Sequence, residues 1–173
     1  MNFNPPETIR LFPLRDSAVV PIYGTKGSAC FDISAAFELG LKITVFDQTN
    51  HKDQVEVSPE LEFSLLPKER ALIPTGWVFG IPHGYSIRFH PRSGIAWKNG
   101  VSFMNAEAVI DEDYVDESFI MLHNHSTERF TIKNGDRIAQ GELVETVKTK
   151  FHITSIRPTN NTDRIGGIGS TGI

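Results

Sequence analysis

Glycine and proline interrupt this chain so often that few stretches of it could form a long helix. Of its 173 residues, 14 are glycine and 10 are proline. A long helix needs a window free of both residues, with apolar side chains every three to four positions, and such windows are rare here. The chain therefore favours many turns joined by short elements.

The segments between these interruptions have the pattern of short β-strands. They alternate polar with apolar residues or are rich in β-branched residues, over about four to seven positions. Turn residues recur about every 8–12 positions, which is typical of a sandwich, jelly roll or small barrel. The predicted strands cover residues 41–46, 55–57, 85–90, 118–122, 130–132, 143–147 and 151–156.

We therefore predict an all-β fold, a distorted jelly roll or β-barrel with at most one short helix. Residues 101–116 contain neither glycine nor proline, so a short helix competes with strands there. The polar segment 46–62 is predicted to be an exposed loop or a hairpin extension. We expect the folded domain to span 1–156, and the glycine-rich end, 157–173, to form a flexible arm.

Charge and composition exclude several classes of protein. The chain carries 17 basic and 21 acidic residues, a net charge of −4, so we expect no nucleic-acid partner. It has neither an apolar run long enough to span a bilayer nor a basic and apolar leader, so we expect no membrane association. Its single cysteine rules out an intrachain disulfide. These features predict a cytoplasmic protein.

Three arginines and two acidic segments are the candidates for chemistry. Arg92, Arg137 and Arg164 each stand beside small or polar residues, a setting that suits phosphate oxygens. Asp111 begins an acidic run directly after an apolar segment, where a carboxylate could activate water or bind Mg²⁺. Asp32 lies within a small, apolar segment and needs a polar partner if it is buried.

The histidines and the cysteine have no metal-binding signature. His123 and His125 offer two ligands with no third nearby in sequence, so a surface pair is the better interpretation. Cys30 has no basic neighbour in sequence, so we interpret it as a small buried hydrophobic residue rather than a nucleophile.

Five blocks, taken in order, resemble the motifs of the all-β, homotrimeric dUTPase family. They span residues 28–36, 91–96, 105–114, 135–140 and 164–172. The resemblance implies Mg²⁺-dependent hydrolysis of dUTP to dUMP and pyrophosphate, with water attacking the α-phosphorus. This reaction would lower dUTP and supply dUMP for thymidylate synthesis. It also implies a homotrimer with active sites between subunits.

The resemblance further assigns roles to individual residues. Asp111 would activate the water, Asp32 would orient a water bound to Mg²⁺, and Tyr114 would pack on the deoxyribose. The uracil pocket would include Asn105, Ala106 and Ala108. Substrate would also contact residues of the second, fourth and fifth blocks: Arg92, Ser93, Gly94, Gln140, Arg164, Ile168, Gly169, Ser170 and Thr171.

The chain departs from the family pattern at four places. Ile168 stands where an aromatic residue stacks on uracil, and Ala108 replaces a usual glycine. Residues 114–117 read Tyr-Val-Asp-Glu rather than Tyr-Arg-Gly-Glu, which predicts a changed local turn and ion pair. The segment 46–62 is longer than usual and is either inert or a site for a protein partner.

Three other functions remain open at this stage. A dCTP deaminase shares the fold and much of the phosphate site. A dUTP-sensing regulatory protein could bind its partner through residues 46–62. A structural β-sandwich would account for the strands but not for the five blocks.

Overall fold

The computed structural model describes residues 7–159, which form fourteen strands and one short helix. The first seven strands are β1 (Arg10–Pro13), β2 (Ile22–Tyr23), β3 (Phe31–Ser34), β4 (Lys42–Phe46), β5 (Lys52–Glu56), β6 (Glu62–Leu65) and β7 (Arg70–Pro74). The remaining elements are β8 (Trp77–Gly80), β9 (Tyr85–Pro91), α1 (Ser93–Asn99), β10 (Val101–Phe103), β11 (Ala108–Ile110), β12 (Phe119–Asn124), β13 (Phe130–Lys133) and β14 (Arg137–Glu145).

Two five-stranded antiparallel sheets enclose one hydrophobic core. One sheet has the order β10-β12-β7-β4-β5 and the other the order β11-β9-β14-β3-β2. Two-stranded sheets, β1-β8 and β13-β6, complete the fold. Alternate residues of each large sheet point into the core, Ile73 and Leu122 from the first and Ile87 and Phe89 from the second. This arrangement confirms the all-β prediction.

The strands pack so closely in the core that a side chain at residue 141 would displace its neighbours. Gly141 lies opposite Phe31 on β3 and Phe89 on β9. A Cβ atom at residue 141 would lie 2.7 Å from the Phe31 ring and 3.1 Å from the Phe89 ring. The residues on either side, Gln140 and Glu142, point to the opposite, outer face of the sheet.

Two details of the sequence prediction differ from the structure: the closed barrel and the position of the helix. The described strands, residues 10–145, form separate sheets and no closed barrel. The helix lies at 93–99, not within 101–116, and ends where the Gly100 N–H donates to the Ala96 carbonyl at a φ of 64°. Val101 and Phe103 are buried and the residue between them is partly exposed. This period of two is the burial pattern of a strand, not of a helix.

The predicted strand at 151–156 is also wrong. Phe151 and Ile153 are 94% and 98% exposed, and the residues around them are irregular. Within residues 7–159, no strand lies beside this segment to accept its backbone hydrogen bonds. Alternating apolar residues alone therefore do not make a strand here.

The polar segment after Phe46 was predicted to be an exposed loop or a hairpin extension, and it forms a hairpin. Strand β5 pairs with β4 at the edge of its sheet, and all five of its residues are exposed. The turn is organised by the Asp47 carboxylate, which accepts hydrogen bonds from the Thr49 and His51 backbones. Charged side chains on β5 protect this edge from pairing with another strand.

No helix within residues 7–159 has the length and apolar character needed to cross a membrane.

Candidate active site

Four side chains from three adjacent strands meet at one end of the sheet β11-β9-β14-β3-β2. Gln140 on β14 lies opposite Asp32 on β3, and Arg92 directly follows β9. Asp32 accepts contacts from Arg92 Nε at 3.2 Å and from Arg137 Nη1 at 2.9 Å. We call Asp32, Arg92, Arg137 and Gln140 the arginine cluster.

Hydrogen bonds to the backbone hold the arginine cluster in place. Arg92 Nη1 donates to the Arg137 carbonyl at 2.9 Å, and Gln140 Nε2 donates to the Pro91 carbonyl at 3.0 Å. Helix α1 begins with Ser93 and Gly94, directly beside Arg92. The fold thus brings together Asp32 and the predicted phosphate ligands of the second and fourth blocks.

Asp111 lies in a separate cleft at the end of β11. The cleft has a volume of about 250 Å³ and is lined by Tyr85, Asp111, Glu112, Asp113, Thr146 and Lys148. We call these six residues the carboxylate cleft. Glu112 Oε2 accepts the Gly84 N–H. That hydrogen bond, helped by His83 and Lys148, lowers the pKa of Glu112 below its usual value.

The segment after Asp111 is anchored by an ion pair with a residue near the start of the chain. Arg15 forms a two-pronged salt bridge with Glu117, one contact of which measures 2.8 Å. The Tyr114 hydroxyl donates to the Glu117 carbonyl at 2.8 Å. Burial, followed by the charges of Asp116 and Glu117, raises the pKa of Tyr114.

Asn105 and Ala106 are exposed and precede strand β11, whereas the Ala108 side chain is only 7% exposed and packs in the core. Strand β11 is the edge of its sheet. An edge strand leaves backbone N–H and C=O groups free on its outer side. Ala108 can therefore contribute its backbone, but not its side chain, to a pocket.

Within one chain, the carboxylate cleft and the arginine cluster lie at opposite ends of β9. Ile110 pairs with Ile87, so Asp111 is near the start of β9, whereas Arg92 follows its last residue. The antiparallel register continues to place Asp111 beside Ser86, so six residues of strand, at about 3.4 Å each, put roughly 20 Å between Asp111 and Arg92. One chain alone therefore does not bring Asp111 to Arg92.

Comparison with known proteins identifies the family. The dUTPase family pattern matches residues 54–172. The chain belongs to the dUTPase family. The deoxyuridine 5'-triphosphate nucleotidohydrolase of Rhizobium rhizogenes is 37% identical over 155 residues, which cover 89% of this chain and 85% of that protein. The Nautilia profundicola protein of the same name is 34% identical over 165 residues, covering 95% of this chain and 98% of that protein.

Solved structures agree with this assignment at the level of the fold. The Staphylococcus bacteriophage 80alpha dUTPase with dUPNHPP superposes with a TM-score of 0.72 at 21% identity, covering 97% of this chain and 100% of that one. The dUTPase of phage phi11 of S. aureus has a TM-score of 0.67 at 20% identity, covering 87% and 98%. The predictions of a jelly-roll fold and of a dUTPase-family hydrolase are confirmed.

Sequence reasoning did not assign a site role to several residues that the fold places beside the predicted ones. Tyr85, Thr146 and Lys148 reach the carboxylate cleft because Tyr85 pairs with Glu145 at the end of β14. No local sequence signal marks them, since the register of β9 against β14 decides their position. Arg137 was a candidate for phosphate contact from its neighbours in sequence, but the family resemblance assigned it no role.

Cys30 is less buried than the sequence predicted. It is half-buried rather than buried. Burial and then the charge of Glu142 raise the pKa of the Cys30 thiol. A raised thiol pKa disfavours the thiolate, which agrees with the prediction that Cys30 is not a nucleophile.

The remaining predicted ligands belong to the fifth dUTPase block. Arg164, Ile168, Gly169, Ser170 and Thr171 lie outside residues 7–159, which the structure describes. Their roles therefore stay predictions.

Proposed function

We propose that this protein hydrolyses dUTP to dUMP and pyrophosphate in the cytoplasm, with Mg²⁺, and so lowers dUTP while supplying dUMP for thymidylate synthesis. Membership of the dUTPase family supports the substrate. The main support for the mechanism is that one sheet holds the arginine cluster at one end and the carboxylate cleft at the other. The arginine cluster suits a triphosphate, and the carboxylate cleft suits a base that acts on water.

Asp111 is the proposed general base. Asp111 is exposed and lines the cleft, where it can accept a proton from a water aimed at the α-phosphorus. An exposed carboxylate is a weak base, so its contribution comes mainly from positioning the water. Lys148 lines the same cleft and is a cation that the bound substrate would meet there.

Arg92, Ser93, Gly94 and Gln140 are the proposed phosphate ligands. Arg92 is only partly exposed, at 28% of its side chain, and is held by Asp32 and the Arg137 carbonyl. A guanidinium fixed in this way is oriented before the substrate arrives, so little side-chain entropy is lost on binding. The guanidinium would also stabilise charge that develops on the pyrophosphate leaving group.

Asp32 fits a Mg²⁺ ion only through water. Each of its oxygens already contacts a guanidinium, yet a carboxylate has about four acceptor sites, so it can still accept a hydrogen bond from a water. Mg²⁺ commonly keeps several waters and binds substrate phosphates. When bound, it would neutralise phosphate charge. A structural Mg(II) ion is described for the phage phi11 dUTPase.

The edge strand β11 and the residues before it form the proposed pocket for the base and sugar. Free backbone groups around Asn105, Ala106 and Ala108 could match the carbonyl and N3–H pattern of uracil, which a cytosine amino group would not satisfy. Tyr114 is anchored through its hydroxyl, so its ring can pack on deoxyribose and exclude a ribose 2′-hydroxyl.

A homotrimer would bring the two ends of the sheet together. If Asp111 of one subunit faces Arg92 of the next, the gap of roughly 20 Å within one chain becomes a contact between chains. Val147, Phe151, Ile153 and Ile156 are all at least 77% exposed. Apolar residues of this kind gain from being covered by a neighbouring subunit.

The glycine-rich end is the proposed lid. Arg164, Gly169, Ser170 and Thr171 would bind phosphate oxygens when substrate is present, and Ile168 would pack on uracil without aromatic stacking. Closing the site would exclude bulk water. Deleting the residues after Asn161 should reduce turnover severely while circular dichroism stays unchanged. Normal turnover by the truncated protein would contradict the lid.

The test of the function is pyrophosphate release from each common nucleoside triphosphate. We expect release from dUTP alone and no ammonia from dCTP. Asp111→Asn should keep dUTP binding and lose turnover by about 10²- to 10⁴-fold, the usual contribution of a positioned base. Asp116→Asn removes the same charge from an exposed position nearby and should retain turnover. Equal turnover by both variants would refute the role of Asp111.

A further inference from the structure

Three metal-ligating side chains converge on the outer face of the sheet β11-β9-β14-β3-β2. Cys30 immediately precedes β3, His90 lies on β9 and Glu142 lies on β14. Their register explains the convergence. Phe31 pairs with Gly141, which places Cys30 beside Glu142, and His90 pairs with Gln140, two residues from Glu142 on the same face.

The donor atoms are close enough to share one ion. The Cys30 sulfur, a His90 ring nitrogen and a Glu142 carboxylate oxygen all lie within 4.8 Å of one another. His90 Nε2 and Glu142 Oε1 are 3.1 Å apart. Ligands of a tetrahedral ion at about 2.1 Å are separated by roughly 3.4 Å, so only small side-chain rotations are needed.

We propose that Cys30, His90 and Glu142 form a binding site for a transition-metal ion of the Zn²⁺ class. Thiolate, imidazole and carboxylate are all common zinc ligands. Three protein ligands leave a fourth position for water. The site does not depend on the proposed hydrolysis, and its chemistry differs from that of Mg²⁺, which prefers oxygen ligands.

The surrounding charges leave Glu142 available for a cation. Arg88 lies opposite Glu142 in the register of β9 and β14, but its Nη1 contacts the Glu107 carboxylate at 3.3 Å. His90 and Glu142 are 26% and 37% exposed at their side chains. An ion can therefore reach the site from solvent.

A bound ion would connect three neighbouring strands. The segments that carry its ligands also carry Asp32, Gln140 and Arg92 of the arginine cluster. Asp32 is two residues from Cys30, about 7 Å along an extended chain. The ion is therefore expected to stabilise the sheet next to the arginine cluster and to raise the thermal midpoint of unfolding.

The experiment uses the full chain freed of metal by a chelator. Zn²⁺ is titrated in competition with a chromophoric chelator, and Co²⁺ is added separately to record its spectrum. We expect one ion per chain and a thiolate-to-cobalt charge-transfer band in the near ultraviolet. Cys30→Ser, His90→Gln and Glu142→Gln should each weaken Zn²⁺ binding by more than about 100-fold, since even outer-shell partners are worth roughly 10- to 100-fold.

A second histidine pair provides the control. His123 Nδ1 lies on β12 and is 3.2 Å from Nε2 of His125, which follows the strand, so the histidine nitrogens of this pair are also close enough to share an ion. His123→Gln should leave both the affinity and the cobalt band unchanged. Loss of binding in this variant, or unchanged binding in Cys30→Ser, would overturn the proposal.

The wild-type chain allows a test that needs no variant. Cys30 is its only cysteine, so alkylation by a thiol reagent reports on that residue alone. Stoichiometric Zn²⁺ should slow alkylation at least tenfold, and the same concentration of Mg²⁺ should not. Equal alkylation rates with and without Zn²⁺ would overturn the proposal even if the variants fail to fold.

Discussion

The two ends of the sheet β11-β9-β14-β3-β2 have opposite electrostatic character. The arginine cluster places one carboxylate, Asp32, between two guanidiniums. The carboxylate cleft places Asp111, Glu112 and Asp113 beside one cation, Lys148. By charge alone, the first end would attract a triphosphate and the second would repel it. In the proposed homotrimer, the base Asp111 would stay apart from the proposed phosphate ligands of its own chain, and a second copy would supply the missing half.

The largest predicted effect comes from combining two inactive variants. Asp111→Asn chains and Arg92→Gln chains should each hydrolyse dUTP poorly alone. If each site takes Asp111 from one subunit and Arg92 from another, an equal mixture of reassembled trimers has both groups intact in about a quarter of its sites. Steady-state pyrophosphate release by the mixture should recover to about a quarter of the wild-type rate.

The mixed assembly also separates the alternatives. If both groups act within one chain, no site in the mixture is complete, and turnover stays at the level of the separate variants. The control is the Asp111→Asn variant alone, taken through the same reassembly. Turnover that is unchanged by mixing would contradict the assembly across subunits.

An intermediate effect is predicted for the acid of the arginine cluster. Asp32 is 15% exposed and contacts two guanidiniums, so Asp32→Asn should lower the free energy of unfolding by about 1–2 kcal/mol, a partly screened ion-pair loss. Arg137→Gln removes a partner that is 55% exposed and should cost below about 1 kcal/mol. Urea denaturation measures both, and a larger loss for Arg137→Gln would contradict this ranking.

The smallest effect concerns Glu112 in the carboxylate cleft. Its pKa is lowered from 4.5, chiefly by the Gly84 N–H. A lowered carboxyl pKa contributes stability that is present above the unfolded value and is lost as the pH falls through the folded value. The thermal midpoint of Glu112→Gln should therefore fall slightly below that of the wild type at pH 7 and approach it below pH 4.5. A constant difference across this range would contradict the assignment.

Short-range patterns located some of the described strands and missed others, such as β6, β7 and β8. Residues 42–46, 85–91 and 119–124 are strands close to their predicted bounds, because alternation and turn residues act locally. The prediction at 151–156 was wrong because a strand also needs a neighbour. The helix was misplaced because residues 101–103 and 108–110 pair with distant strands, which local propensity does not reveal.

The five blocks and their order already identified the family and the candidate residues, because each block keeps its chemistry within a few neighbouring positions. Strand register alone decided which of those residues meet. It joined Asp32 to Arg92 and Arg137, separated Asp111 from them, and gathered Cys30, His90 and Glu142 from positions far apart in the chain. Register depends on which backbones pair across the sheet, and that is a property of the folded core rather than of any local segment.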